Sequence, residues 1–347
     1  MKLKALLIVG ALAACGTVLP SSSSAPLPVR AVRPGGITIQ PSMRPWRFAG
    51  AGPDGWWCRA PNCNGVTEGT QFVDRELALA ADLGVRILRL EFPWPLIEPA
   101  RGTYDWRRVD YIVRAARRRH VPLQPVLIYT PAWAAANAND PPSVDDFTSF
   151  VRTVVKRYRN TIHYWELWDE PDLERYWAGG QAAYVQRIVI PGYRAIKATD
   201  RRAKVVLAAS QKPDQDWIRG VYQLGGGSSF DILQYHDYSA DRRVLSNASL
   251  MLAVLREHGQ QRKPIWLGEY GVHEDTVNDV RQQALIEAVM AEPAPIAMAQ
   301  LYELRDDYSM TCCPPEVAVF DASGMVTHSY RKKLAYATLR QLLRSRR

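Results

Sequence analysis

From residue 44 onward the sequence alternates short apolar runs of strand length with longer segments whose apolar residues recur at helical spacing, and it does so eight times. Such alternation is the mark of a parallel sheet whose strands are joined by crossover helices. Strands are expected at residues 46–51, 85–92 and 121–128, around Trp165, and at 203–208, 230–238, 263–271 and 295–302. The intervening helices are expected at 72–83, 106–119, 144–159, 181–198, around Trp217, and at 243–258, 277–290 and 327–343. Right-handed crossovers between successive parallel strands close a series of eight into a ring. The expected fold class is therefore α/β, a (β/α)8 TIM barrel forming one domain over residues 44–347. A barrel of this kind takes about 250 residues, and the chain has 347. It contains no internal repeat and no Pro- or Gly-rich break that marks a second domain.

Chemistry in such a barrel sits at the C-terminal strand ends, and three of those ends are acidic or aromatic. Trp165-Glu166-Leu167-Trp168-Asp169-Glu170-Pro171 reads as a strand ending in an acidic pair, because Pro171 cannot continue a ladder. Ile265-Trp266-Leu267-Gly268-Glu269-Tyr270-Gly271 is an apolar run ending in Glu269, with flanking glycines that are expected to let the backbone pass close to a ligand. Between them, Leu233-Gln234-Tyr235-His236-Asp237-Tyr238 puts His236 and Tyr238 two residues apart and hence on one side. In strand two the same alternation sends Arg89 and Glu91 to one side, toward the lumen, since a lone charge on the apolar side is costly. Glu166, deeper than Glu170, is expected to be a buried partner of an arginine, and Glu91 a lining residue.

These residues resemble the signatures of clan A glycoside hydrolases. The Trp168-Asp169-Glu170-Pro171 stretch is similar to the Trp-Asn-Glu-Pro of strand four, 263–271 to strand seven, 230–238 to strand six with its His-x-Tyr ending, and 85–92 to strand two. The chain looks most similar to family 39, with families 5 and 42 as neighbours. The resemblance implies a retaining glycosidase in which Glu170 is the acid/base and Glu269 the nucleophile, with Arg89 holding Glu269 ionised. Asp169 stands where the clan has an Asn that contacts the sugar 2-hydroxyl. An ionised carboxylate only accepts hydrogen bonds, so the sugar's 2-substituent is open. Tyr302 stands where the clan has Trp at the end of strand eight.

His236 and Tyr238 are expected to contact substrate or carboxylate. Trp94, Trp133, Tyr302 and also Trp56, Trp57, Trp168 and Trp177 fall at or after strand ends, where aromatic rings would stack on the apolar C–H faces of a sugar. The partner expected is thus a carbohydrate, with no cofactor and no metal. The six histidines include no two at ligand spacing with a carboxylate. Two other readings use the same residues: a non-catalytic carbohydrate-binding barrel, motivated by Asp169, and a transglycosylase in which a sugar hydroxyl replaces water.

The N-terminus carries a different message. Lys2 and Lys4 precede an apolar run of about ten residues, too short to cross a bilayer of about 30 Å. The following Leu12-Ala13-Ala14-Cys15 resembles a bacterial lipobox. Residues 1–15 are therefore expected to be a lipoprotein-type signal with lipidation at Cys15, or else an ordinary secretory signal, and 16–43 a flexible Ser- and Pro-rich tether. Either way the protein is expected to be exported, to the cell envelope or beyond, with its membrane contact through the lipid. Cys58, Cys63, Cys312 and Cys313 are then candidates for disulfides, either local or cross-paired between the first and last strand loops. The formal net charge is +9. No nucleic-acid motif accompanies it, and the excess lies in helix faces at 106–120 and 331–347, read as solvated; an acidic polysaccharide or anionic lipid surface is the alternative.

Overall fold

The computed structural model describes residues 37–39, 66–239, 243–272, 279–291, 295–306, 324–327 and 329–344. Within them lie strands β1 (Ile37–Ile39), β2 (Leu88–Pro93), β3 (Leu123–Ile128), β4 (Tyr164–Leu167), β5 (Lys204–Leu207), β6 (Leu233–His236), β7 (Ile265–Tyr270) and β8 (Ile296–Leu301). Parallel pairing orders them β5-β4-β3-β2-β1-β8-β7-β6. The remaining seam closes just ahead of β6, where the N–H groups of Asp231 and Ile232 donate to the Val205 carbonyl at 2.8 and 3.2 Å. The Leu207 N–H donates in turn to the Ile232 carbonyl at 3.0 Å. Sequence neighbours are thus neighbours around the whole ring, which is a (β/α)8 barrel.

The outer layer comprises α1 (Val66–Leu83), α2 (Trp94–Ile97), α3 (Arg107–Arg118), α4 (Val144–Tyr158), α5 (Gly180–Tyr184), α6 (Ile190–Thr199), α7 (Gln215–Gln223), α8 (Arg243–Glu257), α9 (Asp279–Ala291) and α10 (Leu334–Arg344). α3 illustrates why these segments form. Val109, Ile112, Val113, Ala115 and Ala116 recur on one buried face, while Arg117 and Arg118 sit in the last turn, where cations complement the helix dipole. α4 starts at Ser143, whose hydroxyl accepts from the Asp146 N–H, with Asp145 and Asp146 in the first turn. β3 and β7 are buried at all six positions each, as expected of strands covered on both sides. No described helix is long and apolar enough to cross a membrane.

Three boundaries differ from the sequence reading. The stretch 16–43 is not a tether throughout. Ile37–Ile39 pairs with β8 through Ile37↔Ala299, Thr38↔Gln300 and Ile39↔Leu301, and with β2 at Ile39↔Leu88. A three-residue run of β-branched side chains is too short to stand out from its Pro- and Gly-rich surroundings; it is a strand because it has a neighbour on each edge. Residues 46–51, expected to be that strand, lie outside the described residues, as do Cys15, Cys58, Cys63, Cys312, Cys313, Trp56 and Trp57. The 181–198 segment is not one α-helix, since a π-helical turn at Val185–Val189 separates α5 from α6. Pro191, in the first turn of α6, has no N–H to continue an α ladder. The last helix begins at Leu334 instead of 327, because Val326 is engaged in bridges to Arg305 and Lys332.

α10 is fixed to α1 by one carboxylate. Asp82 accepts from the Tyr336 hydroxyl at 2.8 Å, Lys332 Nζ at 3.1 Å, Arg340 Nε at 3.0 Å and Arg344 Nη2 at 3.2 Å. Burial opposes its charge, but the hydrogen bonds from Tyr336, Lys332 and Arg340 prevail and hold its pKa at about 2. The folded-state value lies below the ordinary 3.8, so the stabilisation is complete above that value and is lost as pH falls through about 2. Solvent screening of these partly exposed groups keeps the contribution modest. Asp82→Asn should lower the melting temperature at pH 7 by a few degrees and leave it unchanged near pH 2. Circular dichroism melts at both values check this, and equal stability at pH 7 would show that Asp82 does not hold α10.

Candidate active site

Arg89, on β2 and 2 % exposed, gathers three carboxylates from two other strands. Its Nε and Nη2 donate to the two Glu166 oxygens at 2.6 and 2.8 Å, Nη2 also to Asp169 Oδ1 at 2.6 Å, and Nη1 to Glu269 Oε1 at 2.7 Å. The planar fork of a guanidinium suits a two-point grip on one carboxylate with a donor left for others. Burial works against its charge, and Asp169 and Glu166 more than restore it, raising the Arg89 pKa further. Glu166 is thereby the arginine partner expected of it. It also accepts from Gln124 Nε2 at 2.8 Å and Gln234 Nε2 at 2.6 Å, while Gln300 Nε2 donates to Gln124 Oε1 at 2.5 Å. Burial raises the Glu166 pKa and Arg89 opposes it.

This amide layer, from β3, β6 and β8, was missed in the sequence. Its signal is parity: Gln234 and Gln300 each lie two residues before a strand-end aromatic or imidazole, His236 and Tyr302, and so face the same lumen. Gly268 also has a different purpose from the one expected. A Cβ there would lie 2.4 Å from Gln234 Cδ, and one at Gly271 would lie 2.4 Å from the Tyr302 carbonyl oxygen. Both glycines make room for protein rather than for a ligand.

β4 ends at Leu167, and the chain beyond it leaves the strand conformation. Trp168 has φ of 76° and Glu170 of 39°, in the left-handed region that costs a non-glycine residue on the order of 1–3 kcal/mol. On a continuing strand Asp169 and Glu170 would face opposite sides. The two turns of the backbone bring both to the mouth of the barrel, while Trp168 points away, packing edge-on against Trp177 at 5.0 Å and donating Nε1–H to the Tyr176 carbonyl. The Asp172 carboxylate accepts from the Gln211 N–H at 3.0 Å, joining the loops after β4 and β5.

β6 and β7 deliver the rest. His236 is the cross-strand partner of Glu269, and the Asp237 N–H donates to the Glu269 carbonyl at 2.9 Å. His236 Nδ1 lies 3.1 Å from Glu170 Oε1 and 3.6 Å from Glu269 Oε2, and its Nε2 is 3.8 Å from Asp169 Oδ1. The Tyr238 hydroxyl donates to Glu269 Oε2 at 2.5 Å. The two distances from Nδ1 cap the gap between those Glu170 and Glu269 oxygens at about 6.7 Å, below nearly all of the roughly 6.5–9.5 Å that separates an inverting pair. Burial raises the Glu170 pKa; His236 opposes the shift, while Asp169 and Glu269 reinforce it. For His236 the balance runs the other way. Burial disfavours its charge, but Glu269, Glu170 and Asp169 outweigh burial and push the imidazole up to about 9.

The structure therefore brings together Arg89, Asp169, Glu170, His236, Tyr238 and Glu269. Tyr302 joins them through Tyr238, with the two rings edge-on at 6.3 Å. Two expected binding residues are not at this site. Trp94 is fully buried, stacked on Phe150 at 4.9 Å, with its Nε1–H donated to Glu98 Oε2 at 2.7 Å, so it is core. Trp133 packs edge-on against Trp94 at 5.5 Å, donates to the Glu98 carbonyl at 2.8 Å and lies under the Arg101 guanidinium. The loop after β2 folds back on itself, and both rings brace it. Trp177 is likewise buried. Glu91 accepts from the Tyr129 hydroxyl at 3.0 Å. Arg175, unforeseen in the sequence, places Nη2 3.8 Å from Glu170 Oε2 at the exposed rim.

Among the described residues Asp169, His236 and Glu269 offer three ligand atoms within 4.8 Å of one another, a spacing open to a metal ion. The fit is poor. Both carboxylates already accept from one guanidinium at 2.6 and 2.7 Å, and a metal would have to compete with a cation that cannot be deprotonated.

No protein-family model and no curated protein matches the sequence. Solved structures do match. A family 39 glycoside hydrolase from Bacteroides cellulosilyticus aligns with a TM-score of 0.64 at 18 % identity, over 78 % of this chain and 60 % of that one. A monomeric beta-xylosidase from Caulobacter crescentus gives 0.69 at 16 % identity, over 88 % and 67 %. An exo-beta-1,4-mannosidase from an Opitutaceae bacterium gives 0.65 at 18 %, over 91 % and 62 %. The chain spans about three-fifths of the length of the first of these. The likeness shows the fold, a (β/α)8 barrel of the kind found in clan A glycoside hydrolases.

The His236 environment has a measurable consequence. A folded-state pKa of about 9 against an ordinary 6.5 means that its ionic contribution is complete below 6.5 and disappears as pH rises through 9. The melting temperature of the protein should fall over that interval relative to that of His236→Gln, and the two curves should run parallel below it. Paired thermal melts from pH 5 to 9.5 check this; parallel curves throughout would mean that the imidazole is neutral.

Proposed function

We propose that the protein is a retaining glycoside hydrolase, with Glu170 as general acid/base and Glu269 as nucleophile. The observation that carries the reading is the meeting of these two carboxyls, from the ends of β4 and β7, around one imidazole nitrogen at 3.1 and 3.6 Å. Double displacement uses two carboxyl groups about 5–5.5 Å apart; the limit of about 6.7 Å on this pair accommodates that spacing, and their surroundings differ as the mechanism requires. Glu269 is held between the Arg89 guanidinium and the Tyr238 hydroxyl, both of which favour a carboxylate. Glu170 is raised by burial and by neighbouring negative charge, which favours a proton.

With a glycoside bound, Glu269 attacks the anomeric carbon while Glu170 donates its proton to the departing oxygen. The glycosyl–enzyme ester leaves Glu269 uncharged. One of the negative charges that raise Glu170 is then gone, so Glu170 is a carboxylate able to take a proton from water as the water oxygen attacks the anomeric carbon. The C–O bond to Glu269 breaks, and sugar and free carboxylate are restored. The neighbours act on xylosides and mannosides by name, which supports a carbohydrate as substrate class. The apolar segment before Cys15 supports an exported, lipid-anchored enzyme working at the cell envelope.

Azide rescue tests the roles separately. On aryl glycosides with good leaving groups, Glu269→Ala should lose at least 10⁴-fold in kcat and regain turnover in azide, releasing a glycosyl azide of inverted configuration. Glu170→Ala should lose roughly 10²–10⁴-fold on poor leaving groups, much less on good ones, and release an azide of retained configuration. Wild-type turnover in both variants would overturn these two roles, and glycan binding with no turnover in any form would leave a binding barrel in place of an enzyme.

A further inference from the structure

Asp169 is the member of the cluster that the proposed reaction leaves unused, and its surroundings carry a charge imbalance. Its Oδ1 is taken by Arg89 at 2.6 Å and lies 3.8 Å from His236 Nε2. Its Oδ2 accepts no hydrogen bond from the described residues, yet is not sealed from solvent, although the residue is only 8 % exposed. Among the described residues four carboxyl groups, Glu166, Asp169, Glu170 and Glu269, converge on one guanidinium and one imidazole. Acids therefore outnumber bases inside a largely buried site, where uncompensated negative charge is costly. An amide at position 169 would remove one of those acids. Arg175 reaches Glu170 at 3.8 Å, but its side chain is 59 % exposed and its charge is screened by solvent.

The position of this free oxygen limits what can meet it. Asp169 and Glu269 hang on the two terminal nitrogens of one guanidinium, so Asp169 flanks the oxygen that attacks the anomeric carbon. That carbon must come within about 3–3.5 Å of Glu269. Of its two ring neighbours, the ring oxygen has no hydrogen to give. The other, C2, bears the adjacent donor. An oxygen that only accepts, in a pocket with surplus negative charge, is matched best by a donor that is itself positive.

Resting on the hydrolase reading above, we propose that the enzyme acts on glycosides of 2-amino-2-deoxy sugars, with the protonated amine at C2 donating to Asp169 Oδ2. The ammonium supplies the missing positive charge and a charge-assisted hydrogen bond. A 2-hydroxyl supplies the hydrogen bond alone. A 2-acetamido group supplies one N–H, no charge and added bulk.

Matched aryl glycosides of gluco, galacto and manno configuration, in both anomers, each with a 2-amino, 2-acetamido or 2-hydroxyl group, test this at pH 6, where the amine is charged. The expected result is kcat/KM at least tenfold higher for an amino glycoside than for its 2-hydroxyl and 2-acetamido counterparts. In Asp169→Asn, which keeps the side-chain shape, the ratio of kcat/KM for the amino compound to that for its 2-hydroxyl counterpart should fall to one or below. Calorimetric binding of the corresponding disaccharides to Glu269→Gln gives the same comparison without turnover. Preference for a 2-hydroxyl or 2-acetamido sugar, unaltered by Asp169→Asn, would overturn the inference and leave the hydrolase reading standing. Failure to turn over or bind any sugar, together with failure of the azide experiment, would overturn both.

Discussion

A single guanidinium sets the terms for this barrel. Arg89 reaches Glu166, Asp169 and Glu269 with three of its nitrogen atoms, and so joins β2 to the ends of β4 and β7 across the lumen. Four acidic side chains within reach of one another would be untenable in such a place without it. Desolvation of each carboxylate costs several kcal/mol, and only close, well-aligned partners offset that cost. The glutamines beneath complete the arrangement. Gln124 and Gln234 donate to the Glu166 oxygens, so the carboxylate that anchors the arginine is itself anchored from β3 and β6. The layer can exist only because Gly268 leaves space for Gln234 to cross. Barrel closure and site geometry are accordingly the same problem.

The second cation, His236, divides the labour between the two catalytic candidates. Its Nδ1 stands between Glu170 and Glu269, while Glu269 alone receives Arg89 and the Tyr238 hydroxyl. Two chemically identical carboxyl groups thus meet unlike surroundings. One is wrapped in donors that suit a carboxylate; the other lies against burial and like charge, which suit a proton. The left-handed backbone at Trp168 and Glu170 is what permits it, since a regular strand would have sent Asp169 or Glu170 out of the site. Strain of that kind persists only when the surroundings hold it in place, and here the Trp168 to Trp177 contact and the Arg89 to Asp169 pair do so from either side.

Much of this was legible in the residues, and the parts that were not share a cause. Strand parity placed Arg89, His236 and Tyr238 toward the lumen, and the strand-end acids Glu170 and Glu269 followed from the breaks at Pro171 and Gly271. Periodicity gave α3 and α4 to within a residue. What it could not give was the direction of a side chain once the chain leaves a regular element. Trp94 follows β2 immediately, as a rim residue would, yet it opens the short helix α2 and is swallowed by Phe147 and Phe150. β1 was misplaced for the opposite reason: its signal lies in its neighbours' pairing and hardly at all in Ile37-Thr38-Ile39. Gly268 and Gly271 were rightly singled out as places of close approach, but a sequence does not say what approaches.

At identities of 18 % or less the likeness to glycoside hydrolases speaks for the barrel, and this fold hosts many unrelated chemistries. The weight of the functional argument therefore rests on the cluster itself. A scaffold that needed only stability would not bury four carboxyl groups around one guanidinium and one imidazole at the mouth of the lumen, because apolar residues of similar volume serve stability as well or better. It would not set two carboxyl groups side by side in such unlike surroundings, nor leave an acceptor of Asp169 open to solvent among them. Each of these features is unfavourable to folding and becomes useful only when a polar ligand arrives with complementary charge. The residue at which the chain departs from the clan's pattern, Asp169, is also the one that adds an acid to this cluster and keeps an oxygen without a donor among the described residues, so under the proposed specificity the two features answer to one substrate group.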